Sequence, residues 1–312
     1  DRNKLTMQSL GIDSIRHQPK PDFIVLVNEE RAAIPILLEA ERNGVKTVFL
    51  SSPPTAQEYA AFTAQHGELK HVLGAVIADM NNAGFRMAKA LVEEASRRNL
   101  HGDDGKLHLL AIAGDEISPS SSARNEGLLS YVKSRDDVVI DRLLYANWRE
   151  VEAKTLTTRF IELANRKKQK IAGIWAANDP MALGAISAIE DAGLKAGTDT
   201  IVVGLNWSAD AITKIDEGKL LLSDGGHFLL GAWLVVALSD HLNGCEFTAR
   251  FPDGQLKIPT ASLDLSADPS LIQLLETRNF SAIDYQSFLT QSDGCKSYDF
   301  GIDAIVQATR KK

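Results

Sequence analysis

Eight apolar runs of strand length, each parted from the next by a helix-length stretch, constrain this chain more than any other feature. They are Phe23 to Val27, Thr47 to Leu50, Val72 to Ile77, Leu107 to Ala113, Val138 to Leu144, Ile171 to Ala176, Thr200 to Leu205 and Leu220 to Ser223. Most are continuous in Val, Ile and Leu, as strands covered on both faces are, and a steady alternation of strand and helix is the pattern of parallel sheets. The helices between them have readable ends. Asp79 is placed to cap Met80 to Asn99, Ser120 to Ser122 precede Ala123 to Ser134, and Ser208 caps Ala209 to Glu217 with Gly218 behind it. A longer helix, Leu229 to Leu242, runs into Asn243-Gly244. The expected class is α/β with doubly wound parallel sheets, and 312 residues exceed one average domain and suggest two lobes. After Gly244 the alternation stops. Residues 245–265 read as an extended, hairpin-like segment around Pro252-Asp253-Gly254, and from Asp268 onward the chain reads as short amphipathic helix and loop.

One unit shows the logic in miniature. Ile171 to Gly193 packs a buried strand, a polar turn and an amphipathic helix together. Asp179 is placed as the helix N-cap, Pro180 takes the first helical position, where its missing N–H costs nothing, and Gly193 supplies the stop. Asn178 is then left at the carboxyl end of a strand just outside a helix N-terminus, which is where ligands bind in open α/β sheets. On this unit alone it serves a turn or a ligand equally well.

The same rim collects Asn28 and Glu29, Ser51 and Ser52, Asp79, Asp115 with Arg124 just beyond, Asn147 and Trp148, Asn178 and Asp179, Asn206 and Trp207, and Gly225-Gly226-His227. Amides offer donors and acceptors to vicinal hydroxyls, Arg offers a rigid fork of donors, and an aromatic face covers the C–H face of a sugar ring. No nucleophile–base pair, fixed carboxylate pair, metal triad or cofactor fingerprint stands out. The mixture suits a neutral, polyhydroxylated ligand better than catalysis, so the chain is expected to be no enzyme and to need no cofactor or metal.

A net charge of −7 leaves no basic stripe for phosphates and argues against a nucleic-acid partner. Arg97-Arg98 and Arg166-Lys167-Lys168 lie at helix C-termini and read as solvated ends that complement the macrodipole. The longest apolar run, Phe228 to Leu238, is too short and too interrupted to span a bilayer. Cys245 and Cys295 lack metal-type spacing; they form a disulfide in an oxidising compartment or stay as two free thiols. The sequons at Asn206 and Asn279 are short and unspecific.

Four blocks carry a resemblance: AANDPMALGAISAIEDAG at 176–193, IVVGLNW at 201–207, SARNEGL at 122–128 and the strand ending Val27-Asn28. From Phe23 to about Gly244 the chain resembles the periplasmic solute-binding proteins of sugar ABC transporters, the ribose-binding-like type I group. The resemblance implies two doubly wound lobes joined by three crossovers, with the sugar in a cleft between them. It implies a first lobe of 1–78 plus 227–258 and a second of 79–226 plus 259–312, with hinges near Ala78-Asp79, near Gly225 to His227 and around 258–264. Carried over by position, Arg124 forks onto ring or hydroxyl oxygens, Asn178 and Asn206 bond hydroxyls, Trp148 stacks and Asn28 is a first-lobe contact. Trp207 and His227 complete the candidate set. A cation near a helix N-terminus, as Arg124 is, is locally unfavourable and needs some other reason to be there.

The resemblance further implies capture of a small sugar or polyol by lobe closure, delivery to a membrane permease, a monomer, and a periplasmic location reached by a signal peptide outside the given sequence. A periplasmic sensor of the same fold, signalling to a histidine kinase or chemoreceptor, is the alternative. A transcription repressor's ligand-binding part is a third class, but nothing like a helix-turn-helix begins the chain. Departures from the family pattern matter too. Ser51-Ser52 stand where many members carry Asp-Arg, and Asn206 stands where they carry Asp, which makes the pocket less charged and puts ribose itself in doubt. The family's first strand and helix have no counterpart, and Asp1 to Ile15 resembles the helix after the second strand. One further βα unit and a second strand upstream, roughly 40–60 residues, are therefore expected.

Overall fold

The computed structural model describes residues 4–28, 31–251 and 253–310. In chain order, α1 (Lys4–Arg16), β1 (Phe23–Leu26), α2 (Ala33–Asn43), β2 (Lys46–Leu50), α3 (Ala56–His66) and β3 (Val72–Ala78) open the first of two compact units. The second unit follows with α4 (Met80–Arg97), β4 (Leu107–Ala113), α5 (Pro119–Lys133), β5 (Val138–Tyr145), α6 (Glu150–Arg166), β6 (Gly173–Ala176), α7 (Asp179–Asp191), β7 (Ile201–Leu205), α8 (Ala209–Asp216) and β8 (Leu222–Gly225). The chain returns to the first unit with α9 (Leu230–Leu242), α10 (Phe247–Arg250) and β9 (Gln255–Ile258), then to the second with β10 (Ala261–Leu263) and α11 (Pro269–Thr277). Tyr285–Phe300 belongs to the first unit, and α12 (Ile302–Arg310) closes the second.

The first unit's sheet has the order β1-β2-β3-β9, parallel throughout. Its core gathers Ile36, Leu37 and Ala40 of α2 with Leu26, Phe49 and Ala75 of the strands. The second unit's sheet has the order β10-β8-β7-β6-β4-β5, parallel except for β10. Every residue of β6 and β7 is buried, so these central strands carry uninterrupted apolar runs.

Several expectations need correction. Residues 245–265 form no hairpin: β9 pairs with β3 in parallel, while β10 pairs with β8 antiparallel. Pro252, placed at the expected turn, lies outside the described residues. The helix bearing Arg124 begins earlier than its serines suggest, since Ser118 is the N-cap, accepting from Ser121 N–H, and Pro119 fills the first turn. Residues 259–312 do not all join the second unit, and the chain passes between units at five points rather than three. Tyr285–Phe300 is held in the first unit by a disulfide between Cys245 and Cys295 and by the fully buried Asp240. Asp240 accepts from Thr290 N–H (3.0 Å), the Thr290 hydroxyl (2.6 Å) and the Tyr298 hydroxyl (3.0 Å). The thiols, left open by the sequence, are thus paired.

Candidate functional site

In the second unit, two turns of the same design stand at the carboxyl ends of β5 and β7. Each is an Asn-Trp pair whose Trp adopts a left-handed backbone, φ +62° at Trp148 and +56° at Trp207. Such a conformation is rare for a bulky residue and persists only where surrounding contacts enforce it. Here each indole lies against a glycine of a neighbouring strand end. A Cβ at Gly114 would overlap the Trp148 ring, and one at Gly225 would overlap the Trp207 ring. Each indole N–H also has a fixed acceptor: Asp115 Oδ2 for Trp148, and the Ala261 carbonyl (3.1 Å) for Trp207. Trp148 is half-buried, whereas Trp207 is buried, with Phe228 edge-on at 6.1 Å between centroids.

Arg124 reaches this rim from the first turns of α5. Close approach of α4 and α5 sets its height, because Cβ atoms at Gly84 and Gly127 would overlap the Arg124 and Asn81 carbonyls. Its guanidinium is buried, with its carbon 5.1 Å from the Trp148 ring centroid, and Nη1 donates to the Ala177 carbonyl. Nε lies 3.2 Å from Met80 Sδ. Among the described residues it forms no ion pair. Burial draws its pKa down to about 10, against the more distant pull of Asp224 and Asp179. The reason for a cation near this helix N-terminus is now visible: the side chain leaves its own helix for a carbonyl and an aromatic face.

Asn178, not Asp179, is the N-cap of α7, since its Oδ1 accepts from Met181 N–H (2.9 Å). Its Nδ2 donates to the Trp148 carbonyl (3.2 Å), so one side chain ties the Trp148 turn to α7. Asp179, expected as the cap, turns inward and is fully buried, accepting from Ser208 N–H (2.9 Å) and the Ser223 hydroxyl (2.7 Å). Burial pushes its carboxyl up to about 6, although these donors and Arg124 oppose the rise. His227 carries a buried Nδ1 without a partner among the described residues, and burial together with Arg124 pushes its pKa down to about 4. It is therefore a neutral imidazole at pH 7.

Arg124, Trp148 and Asn178 are thus brought into one contact set, with His227 close enough to feel the Arg124 charge. Asn206 and Trp207 occupy the neighbouring turn, where Asn206 N–H donates to the Asp224 carbonyl (2.7 Å). The Asn206 amide side chain is half-buried and makes no hydrogen bond among the described residues. Asn28 sits in the first unit just past β1, buried, with Oδ1 3.4 Å from Ala33 N–H. Glu29 of the same rim lies outside the described residues. Sequence reasoning left Asp115, Gly114 and the Ala177 carbonyl without roles. Only the repeated Asn-Trp pair hinted at them. Among the described residues no group of His, Cys, Asp and Glu is arranged to hold a metal ion, and no helix is long and apolar enough to cross a membrane.

The rim of the second unit thus carries amides, one buried guanidinium and an indole face. The family model described as periplasmic binding protein domain matches residues 3–246. The chain belongs to that family. Its fold is that of the type I periplasmic binding proteins. A periplasmic sugar-binding protein from Pseudomonas fluorescens matches with a TM-score of 0.82 at 26% identity, over 98% of this chain and 87% of that one. An ABC transporter periplasmic solute binding protein from Actinobacillus succinogenes 130z, with bound D-allose, shares the fold at a TM-score of 0.65 and 24% identity, over 84% of this chain and 82% of that one. The galactofuranose-binding protein YtfQ of Escherichia coli (strain K12) is 29% identical over 96 residues, a match spanning 31% of this chain but only 30% of that protein.

Proposed function

We propose that this protein is the solute-binding component of an ABC transporter, taking up a small neutral sugar or sugar-like ligand in the periplasm and presenting it to a membrane permease as a monomer. The observation that carries this reading is Arg124, a buried guanidinium with no ion-paired carboxylate among the described residues, set against the face of Trp148. Asp179 and Asp224 offset its charge from a distance, and Asp224 is itself ion-paired with Arg86 (2.9 Å), so the two guanidiniums face two carboxylates and an uncharged ligand leaves no net charge behind. Its remaining donors suit ring and hydroxyl oxygens, and the Asn206 amide supplies further donors and an acceptor. Asn178, with one donor and one acceptor committed to the fold, retains capacity for a hydroxyl. Asn28 is proposed as the first-lobe contact, with His227 and Trp207 lining the second. Solved structures that share the fold hold D-allose or myo-inositol, a neutral sugar and a neutral polyol, and that supports the ligand class. In this reading capture is lobe closure, and the ligand drives it only by binding the closed arrangement better than the open one.

The test is a thermal-shift screen against monosaccharides and polyols, since a ligand that binds only the native state raises apparent stability. Wild type is expected to shift with a cognate sugar. Arg124→Ala is expected to lose that shift with a modest change in ligand-free stability, because the lost Ala177 and Trp148 contacts are offset by no longer burying a charge and no ion pair among the described residues is broken. A variant that still responds at unchanged sugar concentration removes Arg124, and with it this site, from the account.

A further inference from the structure

The contacts of Asp115 go beyond what an ordinary loop carboxylate needs. It follows Gly114 at the carboxyl end of β4, and all its partners are donors from the protein itself. Oδ1 accepts from Ile117 N–H (2.8 Å) and Ser118 N–H (2.5 Å), and Oδ2 accepts from the Trp148 indole N–H. Burial alone would raise its pKa, but the Ser118, Trp148 and Ile117 donors outweigh burial and hold the carboxyl below the usual range. Ser118 is the N-cap of α5, the helix that carries Arg124, while Trp148 ends the turn after β5. One carboxylate therefore joins the two segments that bear the guanidinium and the indole.

We infer that Asp115 is a positioning residue of the sugar site, fixing the Trp148 ring against Arg124 without itself touching the ligand. The inference rests on the sugar-binding reading above for its effect on affinity, but not for its effect on Trp148. Both oxygens are already engaged by the protein's own donors, two on Oδ1 and one on Oδ2, so the role assigned to Asp115 is to hold those groups in place. The turn it restrains also needs restraint. Trp148 and the preceding Asn147 both have positive φ (+62° and +48°), and the Gly114 backbone leaves the indole a slot rather than a wall. Without the anchor, the ring is free to leave the slot and take the Arg124 stacking face with it.

Asn at this position is not a mild substitution. Every partner is a donor, so the new NH2 group must face either the indole N–H or the two backbone N–H groups. The expected effect of Asp115→Asn is about a ten- to hundred-fold loss of affinity, the scale of a hydrogen bond to a charged group. It should fall below about three-fold when the same change is made in a W148F background, where no indole N–H remains.

Titration calorimetry of the four proteins of this cycle, with D-allose, D-fucose, L-arabinose and myo-inositol as probes, reads the coupling. An equal loss with and without Trp148 overturns the positioning role. A second readout needs no sugar. In 15N-indole spectra of the ligand-free protein, the Trp148 resonance is identified by its absence in W148F. Asp115→Asn should move that resonance and leave those of Trp175 and Trp233 in place. An unmoved Trp148 signal refutes the inference even if no probe binds. Wild type that binds none of the four sugars, with the indole signal moving as expected, counts against the ligand class alone and supports the anchor.

Discussion

Removing the Cys245–Cys295 disulfide should weaken the first unit substantially while leaving its native structure intact. The bond closes a loop with a sequence separation of 50, and the chain inside that loop leaves the first unit and returns to it. Cross-linking so long a loop lowers unfolded-chain entropy by an amount worth about 4 kcal/mol at 25 °C. The native contacts of the returning segment do not depend on sulfur. Asp240 still collects Thr290 and Tyr298, Phe300 still stacks on Trp233 with centroids 4.4 Å apart, and Arg250 still lies over the Tyr298 ring at 4.0 Å. Cys245→Ser with Cys295→Ser should therefore keep the near-ultraviolet dichroism and any sugar-induced thermal shift of wild type. Urea unfolding should show a stability loss of about 3–4 kcal/mol at an unchanged or larger m-value. A loss below about 1 kcal/mol would refute the reasoning, since it would mean that the unfolded loop is already restrained. A changed native spectrum would refute the other half, that Asp240 and the aromatic stack suffice to hold the segment.

Two buried groups beside Arg124 should set opposing pH dependences. His227 takes up its proton near 6.5 when unfolded but only near 4 when folded, so its contribution to stability falls as the pH drops through that window. Asp179 is the reverse, titrating near 3.8 unfolded and about 6 folded, so its contribution falls as the pH rises. Unfolding free energies from urea titrations of Asp179→Asn should climb with pH between about 4 and 6.5, by up to about 1.4 kcal/mol per unit, while those of His227→Gln should decline between about 4 and 6. Identical profiles for both variants and wild type would rule out the buried shifts. Gly114→Ala places a Cβ inside the Trp148 ring, so it should displace the indole and weaken sugar binding at least ten-fold in calorimetry, with every proposed ligand-contacting residue unchanged in identity. Unchanged affinity would show that the Trp148 slot is irrelevant to binding.

The sequence alone determined the α/β class, because its evidence is local. Continuous Val/Ile/Leu runs mark strands buried on both faces, and Asp79 and Ser208 do cap α4 and α8 as their positions suggested. It also marked Arg124, since a cation in the first turns of a helix has no local justification. The tertiary structure decided which neighbours those residues meet. The sequence placed Asp179 as the cap of α7, and only the position of Ser208 and Ser223, far along the chain, turned it inward and left the cap to Asn178. Residues 255–258 and 261–263 were legible as extended, but their partners, β3 and β8, were not. The Trp148 anchor was hidden for the same reason, with a sequence separation of 33 between the indole and Asp115. Secondary structure follows from residues a few positions apart, whereas a carboxylate, a thiol or a strand edge acquires its partner only when distant segments are folded together.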